Sequence, residues 1–258
     1  MNSEAAAQPP PYPPNTPARR YFISDLHLDG QDTPRALKFR EFLKHLAAEA
    51  QAMPVELYVL GDLFEFWYEY RAQLFLIYRT DLLALAAAWE AGVKIHLLYG
   101  NRDFAYGAYV RRRFGATVLG DGEIATLHDT RRAWLEHGDL LCTGDRRYLR
   151  FRGIVRSWPV RCLFWLMPWA CARKLIERLR RRTAADKAAK PAATMQLDLV
   201  AARRRCENHD CQVLVCGHLH DEQAHDLGDG RRLIALPAWC DTPGGMVDDA
   251  KGFRPFEF

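Results

Sequence analysis

The polar residues able to do chemistry fall into five short clusters: Asp25-x-His27, Gly61-Asp62, Gly100-Asn101-Arg102-Asp103, His137-Gly138-Asp139 and Gly217-His218-x-His220. Carboxylates, a carboxamide and imidazoles form a donor set for divalent transition metals. Imidazole favours Mn, Fe, Co, Ni or Zn, whereas Mg and Ca prefer all-oxygen shells. In an extended segment residues i and i+2 point to the same side, so Asp25 with His27, and His218 with His220, are expected to converge. Glycines at 61, 100, 138 and 217 would let the backbone bend beside a crowded ion. A lone Gly-Asp after a strand is usually a turn. Five such clusters, each following an apolar run, ask for a shared explanation.

The runs that must position them are readable from periodicity. Tyr21-Phe22-Ile23, Leu57–Leu60, Val93–Tyr99, Ala133–Glu136 and Gln212–Cys216 read as strands, each delivering its last residues into one of the clusters. Thr33–Ala52, with Leu37, Phe39, Phe42, Leu43 and Leu46, has helical spacing, and the Leu- and Ala-rich stretch Ala72–Ala91 reads as a single helix. Thr117–Leu119, Ile124–Leu127, Leu233–Leu236 and Phe253–Phe258 are further strand candidates. Layered α/β folds bind ligands beyond the carboxyl ends of their strands, where the loops meet. The expected fold class is therefore α/β (α+β), with one site at a shared sheet edge.

Composition fits this reading. At 258 residues, 49% hydrophobic and 26% charged, the chain is long enough to bury a core without disulfides and is neither collagenous nor wholly disordered. Seven scattered cysteines with no CxxC point to reduced thiols in a cytosol, and no basic segment with an apolar run marks a signal peptide. Cys206-x4-Cys211-x4-Cys216 with His209 matches no common zinc finger. Residues 1–18, with six prolines, are expected to be a disordered arm, leaving 19–258 as the folded domain. The net charge of +4 hides an asymmetry. Residues 146–182 hold 12 Lys or Arg against one acid, Glu177, leaving 24 basic and 31 acidic residues elsewhere. One region is thus built to meet an anion or an anionic surface.

With these blocks in this order, the sequence resembles the calcineurin-like metallophosphoesterases over roughly Tyr21 to Phe258. The resemblance implies a β-sandwich flanked by helices. It implies two divalent metal ions, one held by Asp25, His27, Asp62 and His220 and the other by Asp62, Asn101, His137 and His218, with Asp62 bridging. Two cations about 3.5–4 Å apart can generate a hydroxide and stabilise both attacking and leaving oxygens of an in-line displacement at phosphorus. Asp62, Asn101, Arg102 and His137 are then the expected catalytic residues. Asp139 would either orient a metal-bound imidazole or serve as a turn aspartate. Many family members have Asn-His where this chain has Asn101-Arg102. Arginine is a poor general acid but grips phosphate in a forked contact, which suits a leaving group needing little protonation, such as one end of a pyrophosphate.

Longer motifs sharpen the resemblance. Phe22-Ile-Ser-Asp-Leu-His-Leu28, Leu60-Gly-Asp-Leu-Phe-Glu-Phe-Trp67, Gly100-Asn-Arg-Asp-Phe104 and His137-Gly-Asp-x-x-Cys-Thr-x-Asp145-x-x-Tyr148 are similar to the branch that cleaves UDP-2,3-diacylglucosamine to UMP and 2,3-diacylglucosamine 1-phosphate in bacterial lipid A synthesis. That similarity implies Mn2+ as the metal, a nucleotide-lipid substrate, and a peripheral protein on the cytoplasmic face of the inner membrane. Asn101, Arg102, Asp145, Tyr148, Thr183, Lys187, Lys190 and His218 would fall where that branch binds substrate. Another nucleotide, sugar phosphate or phosphoprotein is the alternative substrate. Residues 146–195 are expected to form a helical insertion cap. Its segment Trp158-Pro-Val-Arg-Cys-Leu-Phe-Trp-Leu-Met-Pro-Trp169 is aromatic and flanked by arginines, and its longest uncharged apolar run, Cys162–Ala172, has 11 residues. Crossing a bilayer takes ~20 residues, so this segment would lie on an anionic leaflet or cover acyl chains rather than span. The alternative is a helix packed on the core with a solvated Arg face. The apolar run exceeds what phosphate tracking needs, so no nucleic-acid partner is expected.

Overall fold

Strands that are apolar on both faces need cover on both sides, and this chain provides it with two face-to-face sheets, each backed by helices. The structure, a computed structural model, describes residues 12, 13, 16–69, 72–103, 105–144, 146–175, 177, 178 and 197–258. In the first sheet β1 (Arg19–Ile23), β2 (Val55–Val59), β3 (Lys94–Leu98) and β4 (Thr117–Gly120) run parallel as neighbours. β10 (Gly244–Asp249) and β11 (Gly252–Glu257) complete its other edge in antiparallel fashion. The second sheet has the order β5 (Gly122–Thr126), β6 (Arg132–Glu136), β7 (Val213–Cys216), β9 (Arg231–Ala235) and β8 (Gln223–Gly228). Within it β6, β7 and β9 are parallel.

Between the sheets lie Phe22, Tyr58, Leu60 and Leu98 from the first and Ala133, Leu135, Val213 and Val215 from the second. The outer face of the first sheet is covered by α1 (Pro34–Glu49), α3 (Arg79–Glu90) and α4 (Ala108–Phe114), through Phe39, Phe42, Leu46, Leu85 and Phe114. The outer face of the second carries α7 (Leu199–Asn208), whose Ala202 and Cys206 pack on Leu214 and Leu233. The expected helix-flanked sandwich is therefore the fold. Phe42 shows what holds one side together. It is fully buried among Tyr21, Trp239, Phe256 and Phe258, with ring centroids 5.1–5.5 Å away. Truncating it to Ala should cost ~3–5 kcal/mol.

One expectation needs correction, and two strands escape the sequence reading. The stretch 72–91 is two helices, α2 (Ala72–Ile77) and α3, broken at Tyr78. Tyr78 is buried, donates its hydroxyl to Phe66 O at 2.9 Å and packs on Phe64 and Trp67, so tertiary anchoring overrides a helical sequence. Strands β8 and β10 had no strand-like pattern. β10 reads Gly-Gly-Met-Val-Asp-Asp yet is buried along its whole length, because it is sandwiched between β1 and β11.

After β6 a 3-10 turn (Asp139–Leu141) leads into α5 (Arg146–Arg156) and α6 (Trp158–Leu166), and residues 169–175 are again helical. Phe164 and Ala172 anchor these helices against Tyr68 and Ala105. The Pro-rich arm lies largely, and the far part of the expected cap wholly, outside the described residues.

Candidate metal centre

The first four strands to matter, β1, β2, β3 and β6, end on the same edge of the sandwich as β7, and the five clusters follow directly. Their side chains converge through a backbone different from the one the alternation rule supposes. Asp25, His27, Asp62, His218 and His220 all have positive φ, between 48° and 74°. Five of the eight non-glycine residues in that region among the described residues are therefore these five. Left-handed backbone is costly for side chains other than glycine and accumulates where function over-determines it. Asp25 with His27, and His218 with His220, thus converge by tight left-handed turns and not by extended i, i+2 geometry. Gly61 (φ +90°) is required by the same crowding, since a Cβ there would lie 2.7 Å from His137 Nδ1.

The ligand-type atoms form one buried constellation. Asp25, Asp62 and His137 are each at most 1% exposed, and each offers an atom within 4.8 Å of the others. His137 Nε2 is 3.8 Å from Asp62 Oδ1, and His27 Nδ1 is 3.7 Å from Asp62 Oδ2. His220 Nε2 lies 3.6 Å from Asp25 Oδ1 and 3.3 Å from His27 Nε2. The His218 ring meets that of His137 edge-on, centroids 5.0 Å apart, and its backbone N–H donates to Asp25 Oδ2 at 2.7 Å. The side-chain amide of Asn101 abuts the Asp62 carboxylate, its nitrogen able to donate to Asp62 Oδ1 at 2.9 Å. Arg102 donates its backbone N–H to Asp62 Oδ1 at 2.9 Å and pairs its guanidinium with Glu65. Tyr148 donates its hydroxyl to Asp139. Asp145, Thr183, Lys187 and Lys190 lie outside the described residues.

The residues fit a pair of cations on internal grounds. Asp25 Oδ1, His27 Nδ1 and His137 Nε2 are buried with no hydrogen-bond partner. A buried polar atom left unpaired costs ~1–3 kcal/mol, and three such atoms at one site suit a bound cation as their partner. His137 Nδ1 donates to Leu60 O at 2.8 Å, which leaves Nε2 to face the pocket.

Electrostatics say the same. Burial, with Asp103 and Asp25 nearby and His137 opposing, pushes the Asp62 carboxyl up to about 8. Burial alone would lower His137, but Asp62, Asp25 and Asp139 outweigh it and raise the imidazole to about 9. Without an ion, protons take the place of positive charge. Burial pushes His27 down to about 3 and His218 down to about 4, keeping both neutral and ready as ligands.

Several supporting residues carried little sequence signal. The buried Asp103 carboxylate accepts backbone N–H groups from Asp62, Leu63, Phe64 and Gly100 at 2.6–3.2 Å, locking two clusters together. It sits inside the third motif and was legible there as a member but not in its role. Ser24 Oγ donates to Asp25 Oδ2 at 2.7 Å. Asp241 Oδ2 lies 3.0 Å from His220 Nδ1, on a loop that no motif marks. The Cys206, Cys211 and Cys216 set makes no metal-type cluster among the described residues, and His209 stacks on Trp134 at 3.5 Å.

The helices beside the site are clasped to it. Arg152 donates to Asp139 Oδ2 at 2.8 Å and Asp121 Oδ1 at 2.6 Å, and Arg156 donates to Gly100 O at 3.1 Å. Two arginines of the basic run therefore serve the fold. Apart from Phe164, which packs inward, several apolar residues of α5 and α6 face outward, with Trp158 73% and Trp165 62% exposed. No helix among the described residues is long and apolar enough to cross a membrane.

The family model for calcineurin-like phosphoesterases matches residues 18–222, a span that contains all five clusters. The chain belongs to that family, and is a hydrolase of the metal-dependent kind. Among its relatives, the UDP-2,3-diacylglucosamine hydrolase of Aeromonas hydrophila is 36% identical over 88% of this chain and 92% of its own length. The enzyme of the same name from Haemophilus influenzae is 33% identical over 89% and 98%. Among solved structures, a dimetal phosphatase from Danio rerio aligns over 95% of this chain and 100% of its own at a TM-score of 0.45 and 12% identity, too distant to bear on substrate.

Proposed function

We propose that this chain hydrolyses the pyrophosphate of UDP-2,3-diacylglucosamine, releasing UMP and 2,3-diacylglucosamine 1-phosphate, as the names of its relatives suggest. The observation that carries the chemistry is the set of unpartnered buried atoms, Asp25 Oδ1, His27 Nδ1 and His137 Nε2, pointing into one pocket. Asp25, His27, Asp62 and His220 would hold one divalent ion and Asp62, Asn101, His137 and His218 the other, manganese being the metal expected. When bound, such a pair supplies a water made nucleophilic at neutral pH and Lewis-acid polarisation of the phosphoryl oxygens.

The protein's own groups do the rest. Asp62 stands between the two donor sets and orders both. A guanidinium has five donors, more than Glu65 takes up, so half-buried Arg102 can also receive non-bridging phosphate oxygens. No protonated acid replaces it at this position, which favours a phosphate leaving group over an alkoxide. Tyr148, anchored on Asp139, and the α5–α6 helices border the same edge and would bind the sugar and acyl portions, with Asp145, Thr183, Lys187 and Lys190 contributing from outside the described residues. The exposed Trp158, Trp165 and Leu166 suit acyl chains and a peripheral position on the cytoplasmic face of the inner membrane.

The experiment is to follow UMP release from UDP-2,3-diacylglucosamine by the manganese-loaded protein. Turnover that depends on metal and disappears in Asp62→Ala supports the reading. No release of UMP, with hydrolysis of some other phosphoester, would transfer the site to a different substrate.

A further inference from the structure

Cys240 lies at the rim of the pocket, on the loop between β9 and β10, where the sequence carries no metal-binding motif. The thiol and the imidazoles of His27 and His220 each offer a ligand atom within 4.8 Å of the others. The loop is fixed to the same backbone that carries Asp25. Trp239 N–H donates to Ser24 O at 3.0 Å and Cys240 N–H to Asp25 O at 3.1 Å. Trp239 itself is fully buried, its indole N–H on Arg35 O at 3.2 Å. The thiol is therefore carried by a rigid support and not by a wandering loop tip.

The neighbours argue for what it faces. His220 Nδ1 has Asp241 Oδ2 at 3.0 Å, a better partner than Cys240 Sγ at 3.9 Å. That contact orients the ring so that Nε2 faces Asp25 Oδ1 and His27 Nε2. Asp25 Oδ1, wholly buried, has no hydrogen-bond partner and points into the same space.

We infer that Cys240 is a further, soft donor to the cation held by Asp25, His27 and His220, which makes the two metal positions chemically unequal. The inference rests on the metal reading of the site given above. On binding, the thiol proton is lost to solvent and one sulfur–metal bond forms, with no change of oxidation state. The position with sulfur then favours thiophilic ions such as cobalt, zinc or cadmium, while the Asn101, His137 and His218 position, with nitrogen and oxygen donors, does not.

The test is optical. The metal-free full-length protein, titrated with Co2+, should develop visible ligand-field bands together with a near-ultraviolet sulfur-to-cobalt band. Cys240→Ser should keep the former and lose the latter, whereas Cys171→Ser, at an exposed site, should keep both. Cobalt held without the sulfur band, or a sulfur band that survives in Cys240→Ser, overturns the inference alone. Failure to hold cobalt at all overturns the metal reading with it. Alkylation followed by mass spectrometry needs no variant: bound metal should protect Cys240 but leave Cys162 and Cys171 unchanged. Equal labelling of Cys240 with and without metal is the contrary result.

Discussion

In the strand-end pocket, polar atoms are buried without hydrogen-bond partners; on α5 and α6, several large apolar side chains are exposed to solvent. Asp25 and Asp62 are 1% exposed and crowd against imidazoles, whereas Trp158 is 73% exposed at the start of α6, next to the arginine-rich α5. Both regions carry a desolvation imbalance of opposite sign. A cation would relieve the first and, on the proposed function, an apolar or amphipathic phase the second. The pocket is also over-determined by left-handed turns and by the Asp103 carboxylate, while α5 and α6 are fastened chiefly by Arg152, Arg156 and the Phe164 contact. A site for ions demands rigidity to a fraction of an ångström; a surface of the kind proposed for lipid would need only the right face.

The sharpest way to break this comparison is Asp62→Ala, which removes the shared carboxylate. UMP release should fall below detection while the unfolding transition persists. Arg102→Ala should lower turnover roughly 10²-fold, the scale for losing one donor to transition-state charge, with metal content unchanged by elemental analysis. Asp103→Ala, which strands four backbone N–H groups, should reduce the denaturant-derived unfolding free energy by about 3 kcal/mol or more.

A pH series sharpens the pocket side. Asp62 and His137 are raised to about 8 and about 9, so the stability their protons lend the metal-free protein is full at low pH and lost as pH rises through those values. His27 and His218 are lowered, so their contribution is present above about 6.5 and lost as pH falls toward 4 and below. A bound cation must displace the protons of the first pair. Calorimetric unfolding midpoints of loaded and metal-free protein should therefore diverge as pH rises from 6.5 to 9. A constant gap would contradict the proton-for-metal exchange. The smallest effect on stability belongs to the other region: Trp158→Ser with Trp165→Ser should shift stability by no more than about 0.5 kcal/mol each yet release the protein from anionic vesicles in a flotation assay. Retained flotation would make those helices an ordinary solvated face.

The sequence alone was enough for the five clusters, their order and the strands that precede them, because donor chemistry and apolar periodicity are local properties; the helix-flanked sandwich followed from the family resemblance those clusters carry. It could show neither how Asp25 and His27 reach one point, since left-handed turns leave no pattern, nor that Tyr78 would split a helix. β10 was invisible because its burial comes from neighbours on both sides and not from its own Gly-Gly-Met-Val-Asp-Asp. Asp241 and Cys240 approach His220 only because Trp239, about 200 residues along from Arg35, seats their loop against the Asp25 turn. Such proximity is a property of chain closure. Residue types decided which chemistry was possible; the packing of distant segments decided which atoms were left unpaired, and so where an ion could bind.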